Sequence, residues 1–572
     1  MEQENKKANG LAGRKQEKAK NQETSFKSKY TKKYFELRRE QMKSIFNYIK
    51  ADLQELADYF CPNSVRFIAR NSNKVRQKSK KILDSTPLIA LRNFSSGMMS
   101  GATSPTSRWF KTGILNKEVE KDSHSIKDWC FKQAELTRTI LNSSNFYQVL
   151  PEVYKQLGVF SFAAISMESD FENVVTFKNL PIGSYYFSRN HKGKIDTVCR
   201  NYMISAQNMV DEFGKENCSQ KVIDALENNP NSMFEIVHFV EPNRDYQKDS
   251  PVSFQKKYIS VYYEIDSDNK FLRKSGFERF PFVIFEASRN GEDDYPSLGP
   301  ATMALPDVKQ LMLLTKEYAK AVKKIVSPTY KGPASLAKKG FSDTPASYVE
   351  EDENGRGVSP VYEVNPRILE LKQEKDELKQ LIKEHFYNDL FAMILNTAQR
   401  GRTATEVNEL KEEKMVLLSP LLEQIHCALR EVLDWIYYEQ IDKNILPEIP
   451  EELEGQFIQI EFISTLAQAQ KVQSIASMER FTTFVANLAQ AVDPVLVQKL
   501  QGEKIIEDYA EFANIDPSQV TPSDVVAQYR EAMQQKQQQQ EQMAMMAQGS
   551  QLVKNMGGVD AFGGELAARL GQ

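Results

Sequence analysis

Apolar residues recur at helical spacing from Tyr34 to Tyr59, with Ile45, Ile49, Leu53 and Leu56 on one stripe, and Cys61-Pro62 ends the run. A second helix is predicted from Thr86, which can cap it, with Pro87 at its first position and Gly101 closing it. The period then changes. Residues 157–200 read as strand-rich, with GVFSFAAISMES followed by IGSYYFSRN and KIDTVCR flanking Asn190-His191-Lys192-Gly193, a hairpin signal. KKYISVYYEI and RFPFVIFEA continue the strands, and from about residue 305 the pattern is almost entirely helical.

One loop-rich insert interrupts those helices. The first long helix is predicted from Pro306-Asp307 to Ser327-Pro328 and the second from Arg367 to about Ile394, with a Gly- and Pro-punctuated segment between them. On the first, Val308, Met312, Thr315, Ala319, Val322 and Val326 fall on one stripe, with Lys309, Lys316, Lys320 and Lys323 beside it. On the second, Leu371, Leu378 and Ile382 share a stripe, with lysines 372, 375, 379 and 383 on one flank and glutamates 370, 374, 377 and 384 on the other. Such a face can simply be solvated, but opposite charges on opposite flanks also suit copies of one subunit set around a ring. Next comes a loop holding Arg400, Gly401 and Arg402, then a helix from Thr403 to Ile441 with a kink expected at Pro420. The strand QFIQIEFI, further helices to Met533 and a glutamine-rich tail complete the chain.

Composition narrows the chemistry. At 572 residues several subdomains are expected, and residues 1–27 are too polar to fold alone. Lys+Arg 74 against Asp+Glu 77 gives a net charge of -3, so nucleic-acid contact has to come from local clusters. The five scattered cysteines form no CxxC pair and read as reduced, buried thiols. No apolar run approaches the ~18 residues of a membrane span, so a soluble intracellular chain is expected. The five histidines lack metal-site spacing, and Gly214-Lys215 is followed by Glu216, not Ser or Thr as a phosphate-binding loop requires. In SSGMMSGATSPTSRWF, Gly97 and Gly101 flank Ser100 asymmetrically, which does not fit a nucleophile turn. His426-Cys427 cannot pair with each other, because adjacent helical side chains diverge by about 100°. No cofactor, metal or catalytic residue is expected.

Five blocks in order carry a family resemblance: LDSTPLIALRNFSSGMMSGATSPTSRWF; PIGSYYFSRNHKGKIDTVCRNY with AQNMVDEFG; RFPFVIFEASRN through ALPDVKQL; RTATEVNELKEEKMVLLSP; and ISTLAQAQK. Over roughly residues 30–540 the chain resembles the head-to-tail connector, or portal, proteins of short-tailed bacteriophages. It departs from them at Tyr295-Pro296-Ser297-Leu298-Gly299-Pro300, where the family often has Tyr-Gly, at Leu410, often Arg, and at Ser419, often Gly.

The resemblance implies an α+β, mostly helical fold forming a ring of about twelve subunits at one capsid vertex. Its regions would be a disordered arm (1–27), a wing (28–300), a first stem helix (301–327), a clip (328–366), a second stem helix (367–394) and a tunnel loop (395–402). A wing helix and strand (403–465), crown helices (466–533) and a tail (534–572) would follow. The implied partners are double-stranded DNA, held without sequence preference, major capsid and scaffolding proteins, the terminase and tail adaptors, with no membrane. The implied location is the virion, after assembly in the host cytoplasm. Candidate DNA-channel residues are Arg400, Arg402, Lys309, Lys316, Lys320 and Lys323. Gly97 and Gly101, with Ser95, Ser96 and Ser100, would allow close helix approach in the wing, anchored by Trp109 and Phe110. At -3 per subunit such a ring would carry roughly -36, suiting a conduit that lets DNA slide. Another ring-forming head-tail adaptor and a DNA-packaging enzyme are the competing readings.

Overall fold

The computed structural model describes residues 30–62, 81–116, 123–248, 252–265, 267, 271–289, 295–332, 358–360, 368–395, 404–453, 455–463, 478–489, 500–502, 504–506, 509, 519, 521 and 523–555. Its elements begin with α1 (Lys32–Phe60), α2 (Thr86–Ala102), β1 (Phe110–Ile114), α3 (His124–Ser143) and α4 (Phe146–Phe160). Strands β2 (Phe162–Asp170), β3 (Val174–Leu180), β4 (Tyr185–Arg189) and β5 (Ile195–Ser205) lead into α5 (Ala206–Phe213) and α6 (Gln220–Asn228). Four more strands follow: β6 (Met233–Pro242), β7 (Tyr258–Glu264), β8 (Arg273–Phe277) and β9 (Phe282–Glu286). After α7 (Pro300–Val326), the short strands β10 (Tyr330–Lys331) and β11 (Ser359–Pro360) precede α8 (Ile368–His385), α9 (Asn388–Leu395) and α10 (Ala404–Asp442). The last elements are β12 (Ile458–Phe462) and α11 (Ser523–Asn555).

An antiparallel five-stranded sheet, ordered β4-β5-β6-β7-β8, and a three-stranded one, β3-β2-β9, form the β region. The β4–β5 turn is the hairpin read from the sequence: Gly193 has φ +73, and the Asn190 side-chain oxygen accepts the Lys192 and Lys194 amides at 2.9 and 3.1 Å. Arg189 at its base forms a buried ion pair with Glu286 on β9, tying the two sheets together. Two compact units are distinguished: one within Met1–Lys111, Ala134–Leu446 and Ile460–Gln470, the other within Thr112–Gln133, Pro447–Gln459 and Lys471–Gln572. The first holds both sheets and the main aromatic core. In the second, Thr112 donates to Gln133 at 2.5 Å and the Trp129 indole donates to the Pro447 carbonyl at 3.3 Å.

Several elements depart from the pattern. On α1 the buried face is Phe35, Met42, Phe46, Leu53 and Leu56, while Ile45 is 41% exposed. Three large side chains choose the face, and Ile45 lies roughly 80° away at 100° per residue. In α2, Thr86 is already helical: its amide and hydroxyl both donate to Asp84, at 2.9 and 2.6 Å, and the helix runs past Gly101 to Ala102. GVF closes α4 instead of opening a strand, and α3, most of α4, α5 and α6 lie on either side of the strand-rich stretch 157–200, where no helix is predicted. Exposed Cys427 breaks the expectation of buried thiols; Cys130, Cys199 and Cys218 meet it.

The long helices differ most. α7 starts at Pro300, ahead of Pro306, because Gly299 caps it: the Thr302 hydroxyl accepts the Gly299 amide at 2.7 Å. A Cβ on Gly299 would stand 2.4 Å from the Ser161 hydroxyl, so only glycine lets this turn lie against the end of α4. The second long helix is two, since Tyr387 takes φ 55 between α8 and α9 and Phe386 is buried at the break. α10 is a single helix containing Pro420, and α11 runs past Met533, where the predicted helices end, through the glutamine-rich segment to Asn555.

Candidate nucleic-acid interface

Helices α7 and α8 run antiparallel, clasped between residues 307–318 of one and 374–385 of the other. Asp307 pairs with His385 at 3.0 Å, Gln310 donates to Glu374 at 3.3 Å, and the Lys375 ammonium lies 4.9 Å from the centroid of the Tyr318 ring. Lys379 reaches Asp84 at 3.2 Å. Burial pushes the Asp84 carboxyl up, but the Thr86 hydroxyl and amide and Lys379 outweigh it and hold the group below the usual carboxylate range. The α7 end near the body is buried through Ala301, Ala304, Val308, Leu311 and Met312, and the Met312 sulfur accepts the Leu83 and Asp84 amides.

The α7 lysines do not share one environment. Lys309 binds Glu55 on α1 at 2.7 Å, which draws it toward the body. Lys320 pairs with Glu317 one turn away at 2.7 Å, an exposed contact that contributes little. Lys316 and Lys323 are exposed on the same flank. Arg400 and Arg402 lie outside the described residues, as does most of segment 328–366.

The small-residue stretch packs. A Cβ on Gly97 would lie 2.2 Å from the Phe391 ring, so α9 can sit on α2 only where the side chain is hydrogen. Gly101 is buried, the Ser95 hydroxyl donates to the Pro151 carbonyl at 2.7 Å, and the Ser100 hydroxyl donates to the Gly97 carbonyl at 3.2 Å. Trp109 is 1% exposed and donates to the Tyr147 hydroxyl at 3.0 Å; Phe110 is buried beside it. The indole belongs to a column of near-parallel rings. His426 stacks on Phe462 at 4.1 Å, Phe462 on Trp109 at 6.2 Å, and Trp109 on Phe146 at 6.4 Å. Burial, with Arg430 nearby, lowers the His426 pKa to about 4.

Reading the sequence missed Phe391 and Phe462, the partners that give Gly97 and Trp109 their work. Both come from distant segments, and local periodicity carries no signal of such pairing. Gly158, whose Cβ would meet the Phe94 ring at 3.0 Å, was missed for the same reason. Among the described residues, no group of three or more His, Cys, Asp or Glu could hold a metal ion, and no helix is long and apolar enough to cross a membrane.

The family model for "Bacteriophage head to tail connecting protein" matches residues 32–520. The chain belongs to this family. It is 33% identical over 507 residues to the portal protein of Salmonella phage epsilon15, covering 88% of this chain and 91% of that protein. It is 31% identical over 512 residues to the probable portal protein of Bordetella phage BPP-1, covering 89% and 92%. Among solved structures, the virion of a native gene transfer agent particle aligns with a TM-score of 0.34 and 9% identity, over 70% of this chain and 85% of that one. The neck of an empty gene transfer agent particle aligns with a TM-score of 0.37 and 9% identity, over 70% and 86%.

Proposed function

We propose that the chain is the subunit of a structural portal, a ring of about twelve copies at one capsid vertex through which DNA is packaged and ejected. The observation that carries this reading is the family match, which runs from the start of α1 almost to α11. In this reading the body up to about residue 300 is the wing, α7 and α8 are the stem, the segment between them is the clip, residues 395–402 form the tunnel loop, and the crown follows residue 466. The ring sits in the virion at the head–tail junction after assembly in the host cytoplasm. It docks the terminase, then tail adaptors, and meets capsid and scaffolding proteins. It catalyses nothing and needs no cofactor.

A channel that passes a whole genome contacts phosphates and does not read base edges, so its positive groups are sparse and repeated by symmetry. Arg400 and Arg402 are proposed for that role. Mass and symmetry of the purified protein, read by sedimentation and negative-stain imaging, test the ring: a closed particle with a central hole supports it, and a chain that stays monomeric at micromolar concentration with added salt or scaffold overturns it. Replacing both arginines by Ala tests the loop. Rings should still assemble, while particles package or retain less DNA, in a way that depends on salt and not on sequence. Full-length genomes held like the parent's at every ionic strength would end the DNA role of the loop.

A further inference from the structure

Both stem helices have one side committed to each other and another left open. At about 100° per residue, Lys316, Lys320 and Lys323 lie roughly 160° around α7 from Asp307, Gln310 and Tyr318, the residues that touch α8. On α8, Asp376, Glu377 and Glu384 lie roughly 140° around from Glu374, Lys375 and His385, the residues that touch α7. All six are exposed. α7 therefore presents a basic flank and α8 an acidic one, with Lys372 and Lys383 roughly 90° around α8 from the acidic flank. Gln373 and Gln380 donate to Glu377 and Glu384 at 3.1 and 3.3 Å, and Gln380 also donates to Asp389 at 2.9 Å.

From this polarity, and resting on the ring proposed above, we infer that the basic flank of α7 docks on the acidic flank of α8 from the next copy of the chain. The partner is a second copy because the two flanks of one molecule complement each other in charge and neither complements itself. A two-fold pairing through either flank would set like charges face to face, whereas head-to-tail repetition satisfies every copy and closes when the rotation closes. The exposed Lys320–Glu317 contact is weak enough to exchange for the intersubunit one. The inference also reassigns three lysines expected to line a DNA channel: side chains turned to a neighbouring subunit do not meet DNA. The channel wall then loses most of its stem positive charge, and the arginine loop is left as its basic ring.

Charge reversal on the full-length chain tests this. One variant carries Lys316→Glu, Lys320→Glu and Lys323→Glu; a second carries Asp376→Lys, Glu377→Lys and Glu384→Lys; a third carries all six changes. Sedimentation velocity reads the ring fraction at low salt, and circular dichroism reads the fold. Each three-fold variant should lose ring about tenfold or more, and the six-fold variant, complementary again with polarity reversed, should recover it. Unchanged rings in either three-fold variant, or a six-fold variant no better than the worse of the two, overturns the interface while leaving the ring intact. Absence of rings in the parent chain removes the ring itself. Should reversal unfold the chain, Lys320→Cys with Glu377→Cys supplies the answer: oxidation should give a ladder of covalent multimers, and monomer alone overturns the inference. Intact lysine-variant rings that retain less DNA would return those lysines to the channel and also overturn it.

Discussion

The two halves of α7 carry one sequence pattern and meet opposite surroundings. From Pro300 to Met312 the apolar stripe is buried against the body, with Ala301, Ala304, Val308 and Leu311 fully enclosed. Beyond Met312 the stripe continues through Thr315, Ala319, Val322 and Val326, where Thr315 and Val322 are half-buried, Ala319 is exposed and Val326 is 76% exposed. A helix of this length spans about 40 Å at 1.5 Å per residue, and its fully buried residues end at Met312. The lower half is explained by folding and the upper half is not. In the ring proposed above, neighbouring copies would cover the part of the stripe that a single chain leaves open.

The largest effect should come from the buried region. Replacing Trp109 by Ala removes one of the two inner rings of the His426–Phe462–Trp109–Phe146 column and strands the Tyr147 hydroxyl. A loss of about 4 kcal/mol is expected, read as a lower urea midpoint by circular dichroism. A loss under about 1 kcal/mol would mean that the column does not hold this part of the chain together, and the contrast with the upper stem would weaken.

Gly97→Ala comes next. Alanine normally favours a helix, but here its Cβ meets the Phe391 ring at 2.2 Å, so either the ring or α9 must shift. The expected cost is about 3 kcal/mol. Pairing it with Phe391→Leu should return a good part of that loss, because the clash is with this one ring. If the two changes simply add, the close approach is not what makes glycine necessary.

These two positions also mark how far the sequence could be read. The small-residue run was legible as packing because its spacing fits neither a nucleophile turn nor a phosphate-binding loop. The partners were not, because Phe391 and Phe462 return from segments far along the chain and leave no local trace. Helix positions followed from periodicity, but ends depended on tertiary detail: Gly299 against Ser161 starts α7 early, and buried Phe386 beside left-handed Tyr387 divides α8 from α9. The charged flanks were legible as flanks. Which side each presents depends on the clasp between α7 and α8, and that needed the Asp307–His385 contact to fix.

Acid should act on the body more than on the stem. His426 is buried with a pKa of about 4 against an ordinary 6.5, and His238, buried between Ser260 and Tyr262, is also pushed well below it. Both imidazoles are neutral when folded, so as pH falls below 6.5 the unfolded chain takes up their protons first. Stability is therefore full above that value and declines toward pH 4, where the His426 contribution levels off. Between about pH 7 and pH 5, His426 alone should cost about 2 kcal/mol. The check is the urea midpoint across that range, with His426→Gln giving a shallower slope. An equal slope in parent and variant would remove His426 from the acid response.

The smallest expected effect carries the comparison's other side. Val326→Ser sits at the far end of the α7 stripe, where the side chain is 76% exposed. At concentrations where the chain is monomeric, the substitution should shift stability by less than about 0.5 kcal/mol, since exposed positions away from caps and buried partners rarely cost more. The same change measured on rings should lower their dissociation temperature if a neighbouring copy covers the stripe, because a hydroxyl then replaces buried methyl groups. Both measurements are needed, as neither alone separates a solvated helix end from an assembly surface. A monomer penalty close to that of Gly97→Ala would place the upper half inside the folded core and dissolve the distinction. No effect in either state would leave the upper stripe facing solvent in the ring, so that charge complementarity between α7 and α8 would have to hold the stem together by itself.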